Sequence, residues 1–297
     1  MGSLSANGQV FILNPNGVLF GAGAQVNVGG LVASTLQMSN ANFMAGNYKF
    51  AGDAAGSVIN NGHITVAPGG TLALMAPIVQ NTGTLSAPGG SVLLAGAQGV
   101  TLTLQTNGGL VAYTLDAGSA QALVDNGGLI QAGGGHVVLT AKGVDALSKA
   151  VVNHSGVIEA QTVASKNGVI ELLGDMQSGT VNVSGKLDAS APNADGKGGD
   201  GGFIETSAAN VKIADTTRVT TAAAAGQTGM WLIDPTDFTI NAGGGSLPPS
   251  SGIAASTLNA SLSITNATIA TSAAGSGNGD IFVNSAVDWS ANKLLNP

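Results

Sequence analysis

Gln9–Gly21 reads QVFILNPNGVLFG, in which two short apolar runs are joined by four turn-forming residues, Asn14, Pro15, Asn16 and Gly17. Proline fixes φ at the second position of a turn, and Asn and Gly tolerate the positions that follow. The flanking runs are rich in residues that favour strands. Taken alone, this stretch predicts a strand, a tight turn and a second strand, as in a hairpin.

The composition around this stretch is unusual for a globular enzyme. Glycine provides 46 of the 297 residues, while only 8% of residues are charged and 4% are aromatic. Ordinary globular domains have about 25% charged residues. Disordered chains are polar and highly charged, whereas this chain is 44% hydrophobic. The apolar runs are too short to span a bilayer. The composition therefore predicts an all-β chain of short strands and Gly/Asn turns.

Charge and cysteine content argue against several classes of partner and site. The formal net charge is −7 and there is no basic patch, which argues against nucleic acid as a partner. The chain has no cysteine and thus no disulfide or thiolate metal site. A cysteine-free chain also suits a protein that crosses a membrane unfolded, because no crosslink can lock it. The sequence begins with neither the basic residues nor the apolar stretch that mark a signal peptide.

Two sequence elements repeat along the chain. A polar turn followed by a short β run recurs at 60–66, 81–87, 125–132, 153–160 and 183–189. A glycine step followed by another β run recurs at 69–74, 89–94, 134–139, 167–172, 201–206 and 229–233. Gly69 and Gly89 are 20 residues apart, and the later spacings are longer, which places insertions in the turns. A period near twenty with short strands predicts a β-solenoid.

The solenoid changes what is expected of individual residues. Val, Ile and Leu at alternate strand positions should point inward, and Thr, Ser, Gln and Glu outward. Stacked asparagines should form side-chain ladders between coils. The expected ladder residues are Asn61, Asn81, Asn126 and Asn153. The turn at 14–17 becomes a corner of the solenoid, because its flanking strands belong to stacked coils.

Several segments depart from the repeat. The Ala/Leu content of 119–124 and 145–152 predicts one helical turn in each. The segment 191–201 is rich in Gly and Asp and predicts a protruding loop. The segment 243–252 predicts an exposed loop or linker. The strand pattern resumes at Leu262-Ser263-Ile264 and again at 280–284.

Two long segments carry a resemblance to a known family. The first spans residues 7–36 and includes Asn7–Phe11, Asn14–Val18, Phe20-Gly21 and Val26–Thr35. It resembles the secretion (haemagglutination-activity) domain of filamentous-haemagglutinin-like exoproteins of two-partner secretion systems. The second segment, 229–238, is similar to one that recurs in large exoproteins of this group.

The resemblance implies a fold and a mode of export. The implied fold is a right-handed parallel β-helix with short extra-helical hairpins or loops. The implied partner is an outer-membrane transporter of the Omp85 type, whose periplasmic domains bind the secretion domain while it is extended. The implied recognition motif is Asn14, Pro15, Asn16 and Gly17. The implied product is an adhesin-like exoprotein, secreted or held at the bacterial surface, whose receptor is a host-cell glycan or protein.

The family pattern also suggests how the chain is divided. Residues 1–50 are expected to be the C-terminal part of the secretion domain, and residues 51–240 the β-helix coils. Residues 241–297 are expected to be a loop or linker and the start of further coils. The signal peptide, N-terminal cap and C-terminal body of the family are expected to be missing, which predicts a fragment truncated at both ends.

Metal sites are the first chemical alternative. His63, His136 and His154 lack ligand spacing, although His63 and His154 both lie in or beside turns and could meet at a solenoid edge. Exposed polar turn residues explain them more simply. Asp195 and Asp200 resemble one imperfect calcium-binding nonapeptide. Because such ions are held between tandem repeats, a plain loop is favoured. No metal or cofactor is expected.

Catalysis is the second alternative. Asp234 and Asp237 place two carboxylates close together, as in β-helical lyases and hydrolases that act on polysaccharides. The chain has only nine Lys and Arg, and none adjoins this pair. A turn in which Asp caps backbone N–H groups is simpler. The prediction is a non-enzymatic secretion domain and shaft. The alternatives are a polysaccharide-degrading enzyme and a purely structural shaft of a larger toxin or haemolysin.

Overall fold

The chain winds into the predicted parallel β-helix. The computed structural model describes residues 2–53, 55–193, 199–292 and 294–296. Successive strands run in the order sheet A, sheet B, sheet C, and the next coil repeats that order one layer further along the rod. Pairing between coils is parallel throughout these three sheets. Residues 14–17 connect a strand of sheet B to a strand of sheet C, so they form a corner and not a hairpin.

Within the described residues the strands form four sheets, and their spatial order runs from the N-terminal end of the rod. Sheet A contains β1 (Ser3–Ser5), β4 (Gln25–Val28), β8 (His63–Val66), β11 (Thr84–Ser86), β16 (Leu129–Gln131), β19 (Val157–Glu159), β22 (Lys186–Asp188) and β25 (Arg218–Thr220). Sheet B contains β2 (Gln9–Leu13), β5 (Gly30–Ser34), β9 (Thr71–Ala76), β12 (Ser91–Gly96), β17 (His136–Ala141), β20 (Val169–Leu173), β23 (Phe203–Ser207), β26 (Met230–Asp234), β29 (Asn266–Ile269) and β31 (Leu295–Asn296). Sheet C contains β3 (Val18–Phe20), β7 (Ser57–Asn60), β10 (Ile78–Asn81), β15 (Gln121–Asn126), β18 (Lys149–His154), β21 (Thr180–Val183), β24 (Asn210–Ile213), β28 (Gly252–Ala254), β27 (Phe238–Asn241) and β30 (Ile281–Val283). A small antiparallel sheet D contains β6 (Tyr48–Ala51), β13 (Gly99–Leu104) and β14 (Leu110–Ala117), and the helices are α1 (Asn40–Met44) and α2 (Ala255–Leu262).

The core is made of apolar columns that run along the rod. Each inward side chain stacks on the same position of the coils above and below it. In sheet A one column is Val26, Ile64, Leu85, Ile130, Ile158, Leu187 and Val219, all buried. No coil has an interior of its own, so each coil depends on its neighbours for burial.

Sheet B departs from the predicted alternation of inward apolar and outward polar residues. In sheet A the rule holds, since β8 buries Ile64 and Val66 and exposes His63 and Thr65. In sheet B, however, β5 and β9 are buried at every position. Sheet D packs over the outer face of sheet B with Phe50, Val100 and Leu102. The outward residues that it covers are Ala73, Met75, Leu93, Ala95 and Val138. Strands buried on both faces require such continuous apolar runs.

The excursions from the coils leave between sheets B and C. α1 and β6 follow β5, the β13–β14 hairpin follows β12, and a loop at 142–148 follows β17. The helical turns predicted at 119–124 and 145–152 are wrong, because these segments lead into β15 and β18. Ala122 and Val124 stack in register on Ala150 and Val152, and all four are buried. Burial in the stacked sheet therefore overrides local helix propensity.

The C-terminal coils are less regular. α2 takes the place of a sheet A strand and lies against β25, β28 and β29, burying Leu258 and Leu262. The strand predicted at 262–264 is therefore wrong, whereas the strand predicted at 280–284 is confirmed as β30. The loop predicted at 243–252 runs to β28, which inserts between β24 and β27. Neither helix in the described residues has the length and apolar run needed to cross a membrane.

Glycine columns allow the coils to approach closely at two corners. In the column before sheet A, a Cβ on Gly83 would collide with the carbonyl oxygen of Gly62, and one on Gly128 with that of Gly83. These same carbonyls accept hydrogen bonds from Thr84 and Leu129 of the next coil, at 2.9 Å each. A second column before sheet B includes Gly70, Gly90, Gly135, Gly168, Gly202 and Gly229. The repeated glycines of the sequence thus permit the backbone ladder at the corners.

A polar ladder runs inside the rod at the end of sheet C. Asn60 Nδ2 donates to Asn81 Oδ1 (2.8 Å), Asn81 Nδ2 to Asn126 Oδ1 (2.7 Å), and Asn126 Nδ2 to His154 Nδ1 (3.1 Å). His154 Nε2 then donates to the carbonyl oxygen of Lys186 at 3.0 Å. All four ladder side chains are buried. Every amide of the ladder is thereby satisfied by a neighbouring coil.

The ladder predicted from the sequence is wrong by one residue in two of its four coils. Asn61 is exposed and accepts a hydrogen bond from Thr82 Oγ1 at 2.8 Å. Asn153 points out of the sheet and accepts from Asn182 Nδ2 at 2.9 Å. A shift of one residue moves a side chain to the opposite face of a strand. The strand register places Asn60 and His154 inside instead.

Replacing Asn81 tests the internal ladder. Asn81→Ala should lower the free energy of unfolding by about 3 kcal/mol, because it removes two buried hydrogen bonds and leaves partner atoms unsatisfied. Asn153→Ala is the matched control, since it removes one partly exposed bond and should cost about 1 kcal/mol or less. Urea denaturation of both variants measures the difference. Equal losses would contradict a ladder at the inner positions.

His154 should make stability depend on pH. Burial lowers the pKa of His154 from 6.5 to about 4. The unfolded chain therefore takes up a proton at higher pH than the folded chain does. The stabilisation is complete above pH 6.5 and is lost as pH falls toward 4, by roughly 3 kcal/mol in all. His154→Asn should flatten this part of the unfolding profile. A profile that is identical in the parent and in His154→Asn would show that His154 does not carry the effect.

Candidate functional site

The corner at residues 14–17 is a tight turn with its own hydrogen bonds. Gly17 N–H donates to the carbonyl oxygen of Asn14 at 3.0 Å. Asn14 Oδ1 accepts from the backbone N–H of Asn16 at 3.1 Å. Gly17 has φ of +124°, a conformation that side chains strongly disfavour. The residue types of the sequence thus match the turn that they form.

The corner is clamped by the next coil. Asn14 N–H donates to the carbonyl oxygen of Ser34 at 3.0 Å. Gly56 of the following corner lies directly over the turn. A Cβ on Gly56 would lie 2.5 Å from the carbonyl oxygen of Pro15 and 2.9 Å from Gly17 N. The backbone of the corner is therefore fixed from one side while its side chains remain on the other.

The accessible part of the corner is uncharged. Asn14, Pro15 and Asn16 are exposed, and Leu19 next to them is 66% exposed. The structure gives the Asn16 side chain no hydrogen-bond partner among the residues it describes. Amide and apolar groups of this kind recognise a partner through hydrogen bonds and contact, and they offer no acid, base or nucleophile. The corner is suited to recognition.

The histidines do not come together. His63 is exposed on sheet A, in register with Thr84, and His154 is buried in the ladder of sheet C. His136 lies on the outer face of sheet B with Nε2 2.9 Å from Glu171 Oε2. His63 and His154 therefore do not meet at a solenoid edge. The favoured prediction of exposed turn residues holds for His63 and is wrong for His154, which is buried. Within the described ranges, no three His, Asp or Glu residues are grouped closely enough to hold a metal ion.

The two carboxylates near the end of β26 have separate surroundings. Asp237 Oδ1 accepts hydrogen bonds from the backbone N–H groups of Asn278, Gly279 and Asp280, each at 2.9 Å. These bonds lower the pKa of Asp237, and the bond from Asp280 has the largest effect. Burial raises the pKa of Asp234. Asp237 caps backbone N–H groups as predicted, but they belong to the distant segment 278–280 and not to its own turn. Among the described residues, neither carboxylate forms an ion pair with Lys or Arg.

The single acidic loop is only partly described. Asp195, half of the calcium hypothesis, lies outside the described residues, as does the middle of the loop predicted at 191–201. Asp200 Oδ1 accepts from the backbone N–H of Gln227 at 2.7 Å. Its carbonyl oxygen accepts from Thr162 Oγ1 at 2.7 Å. These contacts tie Asp200 to neighbouring coils.

One surface feature was not predicted from the sequence. Phe11, Phe43 and Tyr48 cluster on the outer face of sheet B near the N-terminal end. A partial signal for it was present, because four of the seven Phe and one of the two Tyr fall within the first fifty residues, although Phe20 and Phe50 are buried in the core. In a chain with so few aromatic residues, a cluster on the outer face is a candidate binding surface.

Comparisons with known proteins give a consistent result. Residues 1–189 match the family model of the TPS secretion domain. Two heme/hemopexin-binding proteins of Haemophilus influenzae are 35% identical over 182 residues and 32% identical over 196 residues. Each match covers 59% of this chain and 20% or 21% of the relative, so the chain spans about a fifth of their length. The crystal structure of the HMW1 secretion domain from Haemophilus influenzae aligns with a TM-score of 0.65 and 26% identity, covering 99% of this chain and 82% of that one.

A methyl group at Gly56 should disturb the corner from the coil above. Gly56→Ala places Cβ against the backbone of Pro15 and Gly17. We expect a loss of about 1–3 kcal/mol in the free energy of unfolding, since backbone cannot yield as a flexible side chain can. Gly21→Ala is the control, because a Cβ there meets nothing within 4 Å. Urea denaturation should show a change within about 0.5 kcal/mol for the control. If Gly56→Ala is equally mild, the two coils are not in contact as described.

Proposed function

The chain belongs to the TPS secretion domain family, and we propose that it directs export of an exoprotein through a partner outer-membrane transporter of the Omp85 type. The observation that carries this proposal is the family match over most of the chain. The β-helical coils continue without a break from the matched part into the residues beyond it. The domain boundaries expected at residues 50 and 240 remain predictions within this continuous stack.

The fold suggests how export and folding are coupled. A single coil buries little surface, and its apolar residues are covered only after neighbouring coils have stacked on it. An extended chain with no cysteine can pass the transporter without a crosslink to resist it. Coils that emerge then stack on those already outside. Each added layer buries apolar columns, which opposes movement of the chain back into the pore.

We place recognition by the transporter at Asn14, Pro15, Asn16 and Gly17. The corner is uncharged and exposed. The side chain of Asn16 in particular is exposed and has no hydrogen-bond partner in the described ranges. The periplasmic domains of the transporter would bind this segment while the chain is extended, before the turn is clamped by Gly56. The same residues thus serve recognition first and the corner afterwards.

The exoprotein itself is proposed to be adhesin-like and non-enzymatic. It would be secreted or held at the bacterial surface, with a host-cell glycan or protein as its receptor. The relatives are named for binding heme and hemopexin, and the matched region is about a fifth of each. Against a polysaccharide-degrading activity, Asp237 is occupied by three backbone N–H groups and has no basic partner among the described residues.

Export and stability can be separated by substitution at the corner. In the complete exoprotein co-expressed with its transporter, Asn14→Ala and Asn16→Ala should each reduce export and reduce binding to the periplasmic domains. Asn16→Ala should change the free energy of unfolding by less than about 0.5 kcal/mol, because its exposed side chain makes no hydrogen bond to any described residue. Quantitative blotting of the medium and pull-down with the periplasmic domains measure the two effects.

Gly56→Ala provides the matched control for a purely structural effect. It weakens the folded corner while leaving all four proposed recognition residues in place. Binding of the extended chain to the transporter should therefore be retained in Gly56→Ala and reduced in Asn16→Ala. Undiminished export and undiminished binding in both asparagine variants would show that the corner is not the recognition site.

A further inference from the structure

A groove lies on the outer face of sheet B near the N-terminal end of the rod. Its volume is about 490 Å³. One side is the tip of the β13–β14 hairpin at 105–107, and the other includes residues of the first coils at 7–9. Three aromatic residues, Phe11, Phe43 and Tyr48, also line it. These segments are far apart in sequence and meet only because the excursions fold back over sheet B.

The aromatic residues form a packed group. The rings of Phe11 and Tyr48 are stacked, with centroids 5.4 Å apart and an interplanar angle of 19°. Phe43 meets Phe11 edge-on at 5.3 Å. Phe43 comes from α1, a short helix with no buried residue, and remains 44% exposed. An aromatic group left this accessible is available to an apolar surface of a ligand.

Side-chain amides surround the aromatic group. Asn7, Gln9 and Gln105 are exposed, and in the described part of the chain their side-chain amides have no hydrogen-bond partner. The hairpin tip is fixed by a hydrogen bond from Thr71 Oγ1 to the carbonyl oxygen of Gly108, at 2.7 Å. This bond ties the hairpin tip to sheet B, and Gln9 packs against Gly108 from the other side, so both walls of the groove are fixed by the fold.

The charge of the groove selects the ligand class. None of the described residues that line it is charged, although the chain as a whole carries a net charge of −7. Phosphates, carboxylates and cations would find no counter-charge here. An amide group both donates and accepts hydrogen bonds, as a ligand hydroxyl does. Convergent amides beside aromatic rings fit a ring that has hydroxyls at its edge and C–H groups on its face.

We propose that this groove binds a neutral saccharide ring. Tyr48 and Phe43 contact the C–H face of the ring, and the amides of Gln105, Asn7 and Gln9 bond its hydroxyls. This inference rests on the glycan receptor proposed above, to which it gives a place and a ligand class. It is separate from export, because the groove belongs to the folded coils and uses none of the four residues proposed for transporter recognition, so a failure to bind sugars would leave the export proposal standing.

The test uses the whole chain and simple sugars. Saturation-transfer NMR titrations would compare methyl β-galactoside, methyl β-glucoside and N-acetylglucosamine with glucuronate as the charged counterpart. At least one neutral ring should bind with a dissociation constant on the order of 1 mM, as expected for so few atoms. Glucuronate should bind more weakly. Tyr48→Ala should abolish binding, and Gln105→Ala should weaken it about five- to tenfold, the loss of one hydrogen bond.

Gln105→Ala keeps the test informative if Tyr48→Ala unfolds, because Gln105 is exposed at the hairpin tip. Two substitutions distant from the groove are matched controls: Gln121→Ala, an exposed amide on sheet C, and Phe282→Ala, an exposed aromatic residue in β30. Both should bind as the parent does. Saturation transfer to none of the neutral rings would contradict the proposal. So would equal binding of glucuronate, or full binding by Gln105→Ala.

Discussion

The structure depends on one constraint, that each coil must stack in register on the next. A coil has no interior of its own, so its apolar side chains are buried only between neighbours. The corners satisfy the same constraint through glycine, because a Cβ at Gly83 or Gly128 would strike the carbonyl that accepts the next coil's hydrogen bond. The distance between stacked coils thus determines the strand register, the geometry of the corners and the burial of the core.

Polar residues inside the rod obey this constraint as strictly as the apolar ones. The ladder from Asn60 to His154 is built from hydrogen bonds between coils, and each amide donates to the following layer. His154 ends the asparagine series and passes the chain of hydrogen bonds to the backbone of Lys186. This arrangement requires a neutral imidazole that accepts at Nδ1 and donates at Nε2. Lowering the pH therefore disrupts the ladder through one residue, His154, whose imidazole must stay neutral.

Local patterns in the sequence predicted the parts of the fold that repeat locally. Polar turns before β runs marked sheet A, and glycine steps marked sheet B. Sheet C was less visible, and two of its strands resembled helical turns until stacking was considered. The ladder was predicted one residue out of place because Asn60-Asn61 and Asn153-His154 each offer two neighbouring candidates, and only the strand register decides between them.

The groove between Phe11, Phe43 and Gln105 could not be predicted, since it joins three distant segments. The corner at Asn14 was found by resemblance, and its clamp by Gly56 is visible only in three dimensions.

Amide hydrogen exchange in the folded chain tests the stacking constraint most directly. The N–H groups of Thr84, Leu129 and Val157 donate to glycine carbonyls of the preceding coil, at the very corners where turns usually exchange fast. We predict that they exchange as slowly as the buried strands beside them, while Thr106 and Asn107 at the exposed hairpin tip exchange rapidly. Rapid exchange at the three corner amides, as fast as at the hairpin tip, would contradict a rod whose coils are held together by their neighbours.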